Sequence, residues 1–433
     1  MNEISDLISN LNEKALSPLA LAFLIISVIF LSFKFKFIQL RAHRFLNKSK
    51  FTPQSIKSLG MSLAGTLGVG NISGVALAIA LGGAGAVFWM WISAILVMIL
   101  KYSEVMLTII HKKEKNTTEG GAMYYIKDTF NNKKCGVFLS CFFSFIMIVS
   151  SLTIGSTIQT NAAAEGISYI LNIDRSYVGI IILIIVLITM MIDKKKISTL
   201  TAYLTSFMTV IFILLSLSCL ISKYYLIIDT FELIILDAFS PLSLSGGITG
   251  VLFSASVQHG FSKGIFSNEA GCGTTTISHS LSDVTDAHTE GYLGILEVFI
   301  DTIFLCTVTA LVILTSGNNY QNYGYNSVKL VLDSFNQSVG ISSEYILALS
   351  IFLFALASII CWAYYGTQCV IFIKKNQKSK YLYLMIYMVS IYLGSVTSPK
   401  IIWNIADSSI YLLIIINTFC IIKNSDKIKK YIP

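Results

Sequence analysis

Two stretches of this 433-residue chain place glycine and polar residues where an uninterrupted apolar helix would otherwise run. The first, Gly60-Met-Ser-Leu-Ala-Gly-Thr-Leu-Gly-Val-Gly-Asn-Ile-Ser-Gly74, holds five glycines in fifteen residues together with Asn71. Each interior glycine costs about 1 kcal/mol relative to alanine, so the run predicts a helix that unwinds near its middle. The second, Ser254 to Gly273, is polar and glycine-rich in its middle and second half. Unwound backbone in an apolar medium needs partners. Half-helix N-termini suit an anion, and carbonyls with an amide oxygen suit a hard cation. Lys101, Glu104, Glu297 and Asp301 add ionisable groups inside apolar segments. Such groups cost at least about 2.5–3.5 kcal/mol at the bilayer centre, so each requires a reason. A Lys101–Asp301 or Lys101–Glu104 pair is open as a register-fixing ion pair or as a proton or cation relay.

The elements that must position these residues are membrane helices. The chain is 55% hydrophobic and only 12% charged, with a mean hydropathy of +0.73. An average soluble domain carries about twice that charge, which excludes a soluble enzyme, a disordered chain and a secreted disulfide scaffold. The eight cysteines form no CxxC or Cys/His cluster, and no cofactor is expected. Stretches of about 20 apolar residues can span a bilayer. Eleven are expected, at 17–36, 60–81, 85–110, 137–160, 177–193, 197–221, 246–268, 289–315, 345–371, 380–396 and 402–422. Alternating sides puts 24 of the 31 Lys and Arg on one side and five on the other. That bias predicts an outside N-terminus and a cytoplasmic C-terminus in a plasma (inner) membrane. The basic balance therefore reads as topology and not as nucleic-acid binding.

Five helices separate the start of one interrupted span from the next, and five run from the second to the end. An all-α membrane protein of one peripheral helix plus a 5+5 inverted repeat is the expected architecture. Its units are an N-terminal helix and basic loop (1–59), a first repeat (60–221), a second repeat (246–422) and a basic tail (423–433).

Gly82-Gly-Ala-Gly-Ala-Val-Phe-Trp-Met-Trp91 with Ile92-Ser-Ala-Ile-Leu resembles the signature of the alanine/glycine:cation symporters, also called sodium:alanine symporters. Gly68-Val-Gly-Asn-Ile-Ser-Gly74, Lys101-Tyr-Ser-Glu104, Gly120-Gly-Ala-Met-Tyr-Tyr-Ile126 and Gly264-Ile-Phe-Ser-Asn-Glu-Ala-Gly271 resemble further family motifs in order. So do Phe299-Ile-Asp-Thr302 and Trp403-Asn-Ile-Ala-Asp407. The resemblance covers about residues 15–420. It implies a LeuT-type fold and uptake of a small neutral amino acid, alanine or glycine, with a cation. Sodium is the implied ion, with a proton as the alternative, in a monomer embedded in lipid. By similarity to the Gly-Leu-Gly-Asn of neurotransmitter:sodium symporters, backbone around Thr66 and Gly70 would hold the substrate carboxylate, with Asn71 beside sodium. Gln159 matches a family Gln that would contact the amino acid, and Gly260 to Phe266 would form the opposite wall.

Where the family has Ser-Thr in the ninth span, this chain has Ala357-Ser358. Only Ser358 is then left to complete a sodium site with Thr66 and the backbone near Ala64 and Leu67. Trp362 is open as a pocket wall or as a helix-interface residue. His259 reads as a packing residue rather than a proton carrier, Asp407 as a helix cap, and Glu269 as a gate or local partner of Lys263. No GxxxxGK[ST] motif is present, so no ATP-driven step is expected. An intramembrane enzyme would need a nucleophile with a base, and Ser256 near His259 is a weak candidate.

Overall fold

The computed structural model describes residues 8, 10–41, 52–191, 194–239, 255–284 and 286–432. The basic loop residues 42–51 and the first part of the expected seventh span, 246–254, lie outside them. The described residues fold as α1 (Ser17–Lys34), α2 (Pro53–Thr66), α3 (Ser73–Gly82), α4 (Gly85–Lys115), α5 (Ala122–Asp128), α6 (Lys133–Leu152), α7 (Gln159–Leu171), α8 (Arg175–Met190), α9 (Lys194–Ser222) and α10 (Ile227–Ala238). There follow α11 (Ala255–Asn268), α12 (Thr276–His279), α13 (Ala287–Val298), α14 (Thr307–Thr315), α15 (Ser327–Val339), α16 (Ser342–Ile373), α17 (Gln377–Val396), α18 (Pro399–Lys423) and α19 (Ser425–Lys430).

Local chemistry sets the helix starts. Thr52 and Ser55 form a capping box ahead of Pro53 at the start of α2, which satisfies N–H groups that the helix leaves unpaired. Asn132, Asp174 and Asp286 cap α6, α8 and α13 in the same way. Three wide π-helical stretches run into α-helices without a break among the described residues, at Asn12–Leu16 ahead of α1, at Thr153–Ile158 between α6 and α7 and at Phe299–Cys306 between α13 and α14.

Among the described residues, seven helices are long and apolar enough to cross a membrane, and the bent pair α2 and α3 would make eight. The described parts of the expected segments are mainly helical, apart from the break between Thr66 and Ser73 and the ends of the first and fifth, but those at 177–193, 246–268 and 380–396 do not meet that measure. Helix α8 has 16 residues, about 24 Å at 1.5 Å per residue, against a hydrocarbon core of about 30 Å. Its outer face is nonetheless apolar and exposed through Ile180, Ile181, Ile184, Leu187 and Ile188, and Phe207, Leu214 and Ile221 are likewise exposed on α9. An apolar belt of this extent is a lipid-facing surface.

The core is built around the two interrupted helices. α11 packs along α3 and α4, α13 along α4, and α16 against α6, α7 and α9. α1 lies at the side on α18, pinned at one end by Asn12 Nδ2 donating to the Asn404 carbonyl (2.8 Å) and at the other by Lys34 on Asp426 (2.8 Å).

Candidate functional site

The first interruption falls where the glycine run places it. α2 ends at Thr66, Leu67 and Gly68 leave the helix, and Val69–Asn71 form one 3₁₀ turn before α3. The chain bends by 59° there. Side chains from other helices meet the freed backbone. Gln159 Oε1 accepts from the Val69 N–H (2.9 Å), Ser358 Oγ donates to the Ala64 carbonyl (2.8 Å), and Thr309 Oγ1 donates to the Asn71 carbonyl (2.8 Å). A Cβ on Gly68 would lie 2.5 Å from Gln159 Oε1 and 2.6 Å from Ser358 Oγ, so only glycine lets these two groups converge. Gln159 and Ser358, predicted as site residues, thus stand together at the break. Thr66 is buried with its hydroxyl on the Ser62 carbonyl (3.3 Å).

Asn71 links the break to the buried charges. Its Nδ2 donates to Asp301 Oδ1 (2.9 Å), to the Asp301 carbonyl (2.9 Å) and to Ser267 Oγ (3.0 Å). Ser267 and Thr302 hydroxyls also donate to Asp301 Oδ2, at 2.6 and 2.8 Å. Asp301 is fully buried in the π-helical stretch. The Asn71 Oδ1 oxygen is buried and has no hydrogen-bond partner. An orphaned amide oxygen beside a carboxylate and hydroxyls is the donor set a hard cation takes. Ser267 sits inside the Gly264–Gly271 motif, but only the fold brings it against Asn71.

The second interruption is sharper. Glu269, Gly271 and Gly273 all have positive φ, at 53°, 81° and 74°, a conformation that glycine adopts at little cost and glutamate does not. Two predicted charges serve this turn. Lys101 Nζ donates to the Asn268 carbonyl (2.9 Å) and to Thr275 Oγ1 (2.7 Å), and pairs with Glu297 at 3.1 Å. Glu104 Oε2 accepts from the Gly273 N–H (2.9 Å) and from Asn417 Nδ2 (2.8 Å). The expected partners of Lys101, Asp301 and Glu104, are therefore corrected to Glu297. The physical reason is that Glu104 and Asp301 are each engaged by backbone and side-chain donors at the two breaks, while Glu297 on α13 faces Lys101 directly.

Toward the other end, Lys263 Nζ lies 2.8 Å from both carboxylate oxygens of Asp407 and 4.5 Å over the Trp403 ring. Asp407 is thus an ion-pair partner rather than a helix cap, and Glu269 accepts from Thr274 Oγ1 (2.6 Å) instead of meeting Lys263. Trp403 packs on Phe266 with ring centroids 4.6 Å apart and planes inclined at 51°, and the Phe266 ring lies 3.3 Å from where a Gly70 Cβ would sit. Above this pair is a cavity of about 40 Å³, room for a few waters, lined by residues including His259, Gln258, Lys263, Asn404 and Asp407. Two predicted residues sit in tight helix contacts. Gly260 packs on α4, where a Cβ would lie 2.5 Å from the Ala86 carbonyl, and Trp362 covers Gly155, where a Cβ would lie 2.2 Å from it. Both positions are helix-packing contacts, because close helix approach needs a residue without a side chain opposite a larger one.

The sodium:alanine symporter family model matches residues 1–432. The chain belongs to the sodium:alanine symporter family. An uncharacterised transporter of Haemophilus influenzae is 31% identical over 392 residues, covering 88% of this chain and 84% of that protein. The sodium/alanine symporter AgcS of Methanococcus maripaludis is 29% identical, covering 93% and 90%. The probable sodium/glutamine symporter GlnT of Bacillus subtilis is 28% identical, covering 95% and 86%. A structure of a Na⁺-coupled sialic acid symporter in a substrate-bound outward-open state aligns with a TM-score of 0.54 at 13% identity, covering 93% and 81%. That last likeness concerns the fold. Membership of the sodium:alanine symporter family makes this chain an integral membrane protein for cation-coupled amino acid symport, and not an enzyme.

Proposed function

We propose that this symporter imports alanine or glycine with sodium by alternating access, through an eleven-helix, 5+5 inverted-repeat architecture with its N-terminus outside. The observation that carries the reading is the α2–α3 break. There Gln159, Ser267, Ser358 and Asp301 converge from four other segments on backbone and on Asn71. In this reading the break around Thr66 to Gly70 receives the carboxylate, with Gln159 oriented by the Val69 N–H. One cation lies beside Asn71, Ser267 and Asp301, and a second position is offered by Ser358 with the carbonyls of Ala64 and Leu67. The Phe266–Trp403 pair roofs the substrate, and the closeness of the Phe266 ring to Gly70, where an added Cβ would lie 3.3 Å from it, supports a pocket for a small side chain. The family match and the sodium/alanine relative support the choice of ion and substrate.

Entry of one cation down a membrane potential supplies about 2.3 kcal/mol per 100 mV, in addition to its concentration gradient, enough to accumulate a neutral amino acid several-fold. The test is concentrative alanine uptake into proteoliposomes under a sodium gradient, and under a pH gradient without sodium. Uptake that needs sodium is the expected result. Uptake driven by the pH gradient alone would transfer the coupling to protons, and none under either gradient would overturn the reading.

A further inference from the structure

A second buried network lies on the side reached by the α4–α5 and α12–α13 connections, away from the Lys263–Asp407 pair. His279 ends α12, wholly buried. Its Nδ1 lies 2.8 Å from Glu290 Oε1 and its Nε2 lies 3.1 Å from Glu297 Oε2. Both carboxylates are fully buried. A neutral imidazole donates through one nitrogen and presents a lone pair at the other. Two flanking carboxylates therefore require one additional proton, which makes the ring an imidazolium. The triad thus holds a single exchangeable proton. With it, Lys101 and His279 balance Glu297 and Glu290; without it, an unpaired negative charge is left in a dry interior, an arrangement that is strongly unfavourable.

The triad also joins the pieces that must separate if this side opens. Glu290 accepts from Ser58 Oγ on α2 (3.2 Å) and from Ser282 Oγ (2.9 Å). Ser278, beside His279, accepts from the Tyr365 hydroxyl on α16 (3.2 Å), and Thr276 Oγ1 accepts from the Ala122 N–H on α5 (2.9 Å). The charged and titratable groups around His279 are Glu290 and Glu297 on α13, Lys101, Glu104 and Lys112 on α4, and Glu269 in the break. Tyr365 on α16 and Asp283 in the connection complete the set. Lys57 of α2 is exposed, and Lys112 donates to the Ser280 and Ser282 carbonyls.

We propose that His279, clasped between Glu290 and Glu297, is a proton-binding latch that holds α2, α12 and α13 together on the cytoplasmic side, and that opening this side releases the proton. The latch rests on the alternating-access reading for its place in the cycle but not on the identity of the amino acid. The sign follows from linkage. In the closed form two carboxylates favour the protonated ring, whereas in the open form water replaces them and the ring returns toward its ordinary value near 6.5. Above about pH 6.5 the closed form binds more protons than the open one, so raising the pH favours opening by up to about tenfold per unit.

The test reads conformation directly. Spin labels at Ile56→Cys on α2 and Lys375→Cys beyond α16, in a background with Cys135 and Cys141 replaced by serine, report the opening of this face by pulsed electron–electron resonance in nanodiscs between pH 6 and 9. The parent should shift toward the longer distance as pH rises. His279→Gln, which keeps one donor and one acceptor but cannot bind a proton, should show no pH response. Glu290→Gln should move the midpoint lower by about one pH unit or more. A parent distance distribution indifferent to pH, or a His279→Gln variant that keeps the parent response, would overturn the latch. If His279→Gln does not fold, an unmoved midpoint in Glu290→Gln overturns it equally. A pH-dependent opening in a protein that takes up no alanine would refute the substrate reading and leave the latch standing.

Discussion

Replacing Asp301 with asparagine preserves shape while removing a charge from the centre of the α2–α3 break. The carboxylate accepts from Asn71 Nδ2 at 2.9 Å, Ser267 Oγ at 2.6 Å and Thr302 Oγ1 at 2.8 Å. An asparagine has one acceptor oxygen, and its amide nitrogen would face donors now directed at Oδ1 or Oδ2. Ser267 and Thr302 can rotate to accept, but at least one charge-assisted bond is lost, worth about 1.5–3 kcal/mol. If the carboxylate also helps to hold the cation beside the orphaned Asn71 oxygen, the same loss appears in ion affinity. At about 1.4 kcal/mol per tenfold, the sodium concentration for half-maximal alanine uptake should rise roughly 10- to 150-fold. The assay is initial-rate uptake in proteoliposomes across a sodium titration, normalised to folded protein recovered by size-exclusion chromatography. An unchanged sodium half-saturation in the folded fraction would refute the cation role and leave Asp301 as a register-fixing group for Asn71 and Ser267.

Ser358→Ala removes the hydroxyl on the Ala64 carbonyl; it should weaken sodium dependence by roughly 2- to 10-fold, as expected for about 0.5–1.5 kcal/mol, measured in the same titration. Phe266→Ala should admit amino acids larger than alanine, read by competition against labelled alanine. Trp362→Phe, which repacks the contact over Gly155, should leave that selectivity unchanged and lower thermal stability. Asp407→Asn strands the buried Lys263 ammonium; the melting temperature should fall, with a stability loss smaller than the roughly 3–5 kcal/mol of a fully buried pair because Asp407 keeps some exposure. Adding Lys263→Met should recover part of it, and no recovery would show that the pair is not the cause.

Much of the membrane architecture is legible without coordinates because it follows from one-dimensional quantities. Hydropathy over about 20 residues, the distribution of Lys and Arg, and glycine density each act locally along the chain. They mark the apolar segments and the break at Leu67–Gly68, whereas the second interruption falls at Glu269–Gly273, just past the expected 246–268 span, whose described part is an unbroken helix. Asn71, Gln159 and Ser358 are reached through motif resemblance, and the fold gathers them at one break. Gly260 and Trp362 show what such reading leaves open. A glycine or tryptophan in a spanning segment looks alike whether it faces a pocket or a neighbouring helix, since rotation of the helix about its own axis is set by packing.

The partner of each buried charge was decided only in three dimensions. Lys101 has Glu104 three residues away on its own helix, yet its ion pair is with Glu297, because Glu104 is consumed by the Gly273 N–H and Asn417. His279 lies in a segment that reads as an ordinary connection, with no hydrophobic period to mark it as interior, and Glu290 stands at the very start of the expected eighth span. What makes the buried triad is the sharp turn at Glu269 to Gly273, which folds the connection carrying His279 back against α2 and against Glu290 and Glu297 on α13. Sequence alone determines that this chain lives in a bilayer and where its helices yield. Which ionisable groups meet there depends on helices distant in sequence, because an unpaired charge in a dry interior is tolerated only where another element supplies its partner.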